Sequence, residues 1–138
     1  MSPERVYDKP VIDKLGVFPG ARVAVMGVAD PDFRAALEAH TQDITDGAPL
    51  PGTDLIFLAA DSLAELASLG ELERALKPNG AIWVVSRKGK AATIRDVDVI
   101  GAAKAAGLVD NKVVAFSPTH TALRLVIPRA RRPATARR

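Results

Sequence analysis

Cysteine is absent from the 138 residues. That excludes disulfides, thiolate catalysis and thiolate metal sites, so the fold must stand on its hydrophobic core. Long apolar runs are missing too: nothing approaches the roughly 20 residues of a membrane span. The opening Met-Ser-Pro-Glu-Arg lacks the apolar stretch of a secretory leader, and a cytoplasmic location is the expectation. Only two histidines occur, His40 and His120, too far apart in sequence to form a motif. With no His-x-x-Glu, no paired histidines and no serine set between glycines, metal-hydrolase and serine-hydrolase readings have no basis. No metal ligand and no catalytic residue are assigned.

What is present suits one compact α/β domain over residues 1–127. Hydrophobic residues make up 48% and charged residues 25%, a globular balance and not a disordered one. The net charge of +3 resembles a nucleic-acid signal until its distribution is read. Residues 128–138 carry Arg129, Arg131, Arg132, Arg137 and Arg138 and no acid. Setting those five aside leaves 14 basic against 16 acidic residues, a body of net charge −2. The basicity is therefore a tail, expected to be disordered. Without interleaved aromatics it predicts at most weak, sequence-independent nucleic-acid binding.

Strands and helices alternate along the chain. A short helix is expected from Pro10 to Leu15, then a buried strand at Arg22–Met26. Asp30-Pro31-Asp32 is a strong helix start, with Asp30 as cap and Pro31 in the first turn, leading to a helix ending near Ala39. A short strand near Gln42–Thr45 precedes a loop at Asp46–Gly52. Asp54–Ala59 reads as a second buried strand. Asp61-Ser62 then opens a long amphipathic helix through Leu63, Leu66, Leu69, Leu72 and Leu76, with a break at Gly70 and a stop at Lys77–Gly80. Ala81–Val85 is the third central strand, with Trp83 in the core. A helix over Thr93–Ala106 follows, its spacing supplied by Ile94, Val97, Ile100 and Ala103. Lys112–Phe116 and Thr121–Ile127 are separated by too few residues for a helical crossover, which predicts an antiparallel hairpin. The sum is a Rossmann-like three-layer α/β sandwich with a mostly parallel sheet.

A parallel sheet ending in an antiparallel hairpin resembles the class I S-adenosylmethionine-dependent methyltransferases. Leu15–Gly20, Thr53–Phe57 and Leu76–Gly80 are similar to local pieces of that superfamily. More closely, the chain resembles the bacterial DUF3052 family of small proteins. The matching pieces are "LG-x-x-PG-x-RVAV-x-G" from Leu15 to Gly27, "ALKP-x-G-x-(L/I)-WV" from Ala75 to Val84, Lys88-Gly89, and "T-x-LRLV" from Thr121 to Val126. The resemblance covers about residues 9–127. It implies a strand order of 2-1-3-4-6-5 with the last strand antiparallel, and it brings no activity with it.

The loop after the first strand tests for a nucleotide cofactor. Such sites need several glycines there so that backbone can approach the ligand. Met26-Gly27-Val28-Ala29-Asp30 offers one, Val25 stands where methyltransferases usually carry an acid, and Asp30 and Asp32 would repel a pyrophosphate. Gly27 for a turn and Asp30 as a cap explain the same residues. Asp46 lies 19 residues beyond Gly27, near the spacing of a ribose-holding acid, with Asp43 close by. Asp61 lies beyond a strand end, where it would either hold an adenine or cap the next helix. Arg87-Lys88-Gly89-Lys90 is the first anion-binding candidate, three cations around a glycine at the ligand side of the sheet.

These residues predict a methyltransferase-like module without catalysis, binding a small ligand or a protein, with no cofactor required. Two readings stand beside it: a minimal S-adenosylmethionine-dependent methyltransferase completed by a partner subunit, and a nucleic-acid-associated protein using the tail and the basic loop. Open sheet edges predict self-association.

Overall fold

The computed structural model describes residues 10–131. Six strands form one sheet in the order β2-β1-β3-β4-β6-β5, as the resemblance implied. They are β1 (Val23–Met26), β2 (Ile44–Asp46), β3 (Thr53–Ala59), β4 (Leu76–Arg87), β5 (Val109–Ala115) and β6 (His120–Val126). The strands from β2 to β4 pair in parallel, and β6 runs antiparallel to both β4 and β5. Helices α1 (Val11–Lys14), α2 (Pro31–His40), α3 (Leu63–Leu66), α4 (Leu69–Glu73) and α5 (Asp96–Ala105) complete the order.

Alternation along the central strands builds two cores. Leu55 and Phe57 of β3 join Leu15, Phe33, Leu37 and Trp83 under α1 and α2. Ile56 and Leu58 join Leu66, Leu69, Leu72, Val99 and Ala103 under α3, α4 and α5. Trp83 is fully buried, and its indole N–H donates to the Leu15 carbonyl at 2.9 Å, tying the N-terminal segment to the sheet's centre.

Several elements differ from the sequence reading. The expected long helix is two short ones, broken at Ala67-Ser68 rather than at Gly70. Leu76 already belongs to β4, and Lys77–Gly80 bulge from that strand instead of ending a helix: Thr53 pairs with Leu76, but Leu55 pairs with Ala81. Gly80 sits so tightly in the bulge that a Cβ would lie 2.8 Å from the Asp54 carbonyl oxygen. Helix α5 starts at Asp96, not Thr93, because the Asp98 carboxylate accepts from the Arg95 N–H at 2.8 Å and closes its first turn. The last strands also begin earlier than read, at Val109 and His120. Of the basic tail, Arg129–Arg131 form a 3-10 turn, with Arg131 donating to the Gly107 carbonyl. Arg132, Arg137 and Arg138 lie outside the described residues.

Candidate ligand cleft at the C-terminal sheet edge

The parallel strands β1, β3 and β4 all end on one edge, which is where open α/β sheets bind ligands. Gly27 closes β1 with φ +81°, a conformation that side-chain-bearing residues rarely adopt, and its missing Cβ would meet the Ala59 Cβ at 3.4 Å. Asp30 caps α2 as expected, its Oδ1 accepting from the Phe33 N–H at 3.0 Å. Above Gly27 is a cleft of only about 130 Å³, bounded by Val28, Ala29, Asp30, Ala59, Phe116 and His120. Ordinary ligand pockets hold roughly 300–1,000 Å³.

Asp46 ends β2, but its carboxylate is engaged. Arg34 of α2 donates to both of its oxygens, at 2.6 and 3.1 Å, and also to Glu38 at 2.8 Å. The Arg34 hydrogen bonds hold the Asp46 carboxyl below its ordinary range, and the guanidinium is correspondingly stabilised as the cation. Asp43 is paired as well, accepting from Arg22 Nε at 3.1 Å.

Asp61 does not cap α3, and its half-buried carboxylate is engaged. Ser62 is the cap, accepting from the Glu65 N–H at 3.2 Å. Asp61 accepts from the Arg87 N–H at 2.9 Å, with Arg87 Nε 3.8 Å from its other oxygen, and its own carbonyl accepts from Thr93. It joins the end of β3 to the end of β4.

The basic loop divides accordingly. Arg87 turns to Asp61. Lys88 is held by its backbone, which donates to the Thr119 carbonyl at 3.1 Å, while its ammonium makes no ion pair among the described residues. Gly89, with φ +68°, and Lys90 form a 3-10 turn. Arg87, Lys88, Gly89 and Arg95 border a shallow hollow of about 280 Å³.

Lys88 also borders a larger groove that spacing alone does not reveal. It holds about 590 Å³ between α1, α2 and the β5–β6 turn, with Ile12, Phe33 and Phe116 as apolar lining and Asp30, Asp32 and Lys88 as its charged groups. Phe33 and Phe116 meet in a tilted contact, 5.1 Å between ring centres and 52° between planes, and Phe57 meets Phe33 edge-on at 4.8 Å. Groove and cleft share Asp30 and Phe116. In the sequence Phe116 is one more apolar residue before a turn, so nothing marked it.

Residues 13–129 match a family described as a protein of unknown function, DUF3052. The chain belongs to the DUF3052 family. No curated protein matches it. Solved structures similar to this DUF3052 chain are methyltransferase folds. A SAM-dependent methyltransferase from Aquifex aeolicus is 16% identical with a TM-score of 0.62, over 93% of this chain and 100% of the other. A TehB-like SAM-dependent methyltransferase from Corynebacterium glutamicum is 13% identical with a TM-score of 0.57, over 86% and 85%. The pyocyanin biosynthetic protein PhzM is 11% identical with a TM-score of 0.63, over 85% and 53%. This chain spans about half the length of PhzM. At such identities the likeness is one of fold.

Proposed function

We propose that this DUF3052 chain is a methyltransferase-like domain that binds a small ligand in the groove between α1, α2 and the β5–β6 turn, and not a methyl donor above Gly27. The groove itself carries the reading: about 590 Å³, mostly apolar, with two phenylalanines in tilted contact and charges of both signs, beside a cleft of about 130 Å³.

Two neighbours of the same fold, the O-methyltransferase NcsB1 and CalO1, are structures with S-adenosylhomocysteine bound, the product left by S-adenosylmethionine, which raises that donor here. The residues present do not fit it. One glycine stands after β1, the acid at the end of β2 is held by Arg34, and Phe116 and His120 border the space above Gly27. Asp61 serves the β3–β4 junction instead of a ligand. No methyl-transfer step is therefore assigned to this chain.

The groove's chemistry names the ligand class. A flat apolar body would lie on Phe33 and Phe116, an ammonium would meet Asp30 or Asp32, and a carboxylate would meet Lys88. Three indoles of one shape separate these terms: L-tryptophan carries both charges, tryptamine only the ammonium and indole-3-acetate only the carboxylate. Titrated into ¹⁵N-labelled protein, L-tryptophan should shift the Phe33, Lys88 and Phe116 amides most, and Lys88→Glu should remove its advantage over tryptamine. If none of the three perturbs those amides at millimolar concentration, the groove is not such a site.

A further inference from the structure

Helix α5 leaves two of its large apolar side chains outside the core. Its buried residues are Val99 and Ala103, while Val97 is 68% exposed and Ile100 also faces solvent. Next to them Leu63 of α3 is 65% exposed. Val97 and Leu63 flank a shallow channel of about 500 Å³ whose walls include Ala67, Gly70, Asp98, Gly101, Ala102 and Ala105. Large apolar groups standing beside a trough of the same face make that face complementary to a copy of itself, as a two-fold interface requires.

We infer that α5 and its α3–α4 shoulder form a homodimer interface, with two α5 helices crossing antiparallel at Gly101. Charge selects the partner and its direction. Asp96 and Asp98 occupy the first turn of α5 and Lys104 the last. An antiparallel copy sets the acids of one helix level with the lysine of the other, within reach of its long side chain, whereas a parallel copy sets like charges level. Gly101 permits the approach, since nothing lies within 4 Å of the place its Cβ would occupy. The sheet edges are poorer candidates. β2 has three residues, and on β5 the Lys112 ammonium donates to the Lys14 carbonyl at 3.1 Å, bringing the end of α1 against that edge.

The absence of cysteine makes the test direct. Gly101→Cys places one thiol per chain at the crossing point, where two copies meet within disulfide range. Ala39→Cys, exposed on α2, is the control. Wild-type protein should sediment as a dimer at about 100 µM, and Val97→Glu should weaken association at least about tenfold by burying an unpaired carboxylate. Under mild oxidation Gly101→Cys should cross-link at least about tenfold faster than Ala39→Cys. A wild-type monomer at that concentration overturns the inference and leaves the face to another partner. So does a dimer that Val97→Glu leaves intact, or one in which the two cysteine variants cross-link at equal rates.

Discussion

At the scale of single residues, the Arg34–Asp46 pair is the most informative contact. Arg34 lies one turn into α2 and Asp46 at the end of β2, twelve positions apart along a helix and a turn with no shared period. Spacing marked Asp46 as an acid at the right distance from Gly27, and that was legible. Its partner was not, because only the folding of α2 back beside β2 brings them together. Because Asp46 titrates below its ordinary value when folded, the pair stabilises the protein above pH ~4 and loses that contribution as pH falls through the lowered value. Both groups are open to solvent, so the effect on stability is small. The readout is the Asp46 carboxyl itself: Arg34→Ala should raise its titration midpoint, followed by carbon NMR, back to the ordinary range. An unchanged midpoint would mean that Arg34 does not hold it.

At the scale of elements, the β4 bulge and the phase of α5 mark where pattern reading ends. Lys-Pro-Asn-Gly was read as a helix stop because it contains the residues that stop helices. It is instead a bulge in a strand, closed by Lys77 at 3.0 Å from Asp54 and by a glycine with no room for a Cβ. Gly80→Ala should destabilise the fold by about 1–3 kcal/mol, read from the urea midpoint, since the obstruction is backbone and cannot swing away. Wild-type stability would show the bulge to be looser than described. In α5 the inner face is made of Val99 and Ala103, and alanine gives a weak periodic signal. Val97 and Ile100, which fit a helical spacing with Ile94, therefore read as the apolar face although they point out. Trp83 was placed correctly in the core, but its donor role was invisible because Leu15 lies 68 positions away. Trp83→Phe should cost about 1–3 kcal/mol by leaving that carbonyl unpaired. A much smaller loss in denaturant titration would imply that another donor replaces the indole.

At the scale of the molecule, the strand order was implied by the resemblance and the antiparallel end by the short connection between the last two runs, and both are present. Long runs such as Asp54–Ala59 carry their burial in their composition, so the sheet was legible. The groove was not: its lining comes from α1, α2, the basic loop and the β5–β6 turn, four places that no window spans. No helix among the described residues is long and apolar enough to cross a membrane. The proposal joins a methyltransferase-like fold to a space above Gly27 too small for a methyl donor and a larger groove beside it that takes the ligand. Calorimetric titration of the purified wild-type protein with S-adenosylmethionine tests that most directly. The account predicts no heat of binding up to millimolar ligand, a free energy weaker than about −4 kcal/mol. Saturable binding at micromolar concentration would contradict it and restore the space above Gly27 as the site.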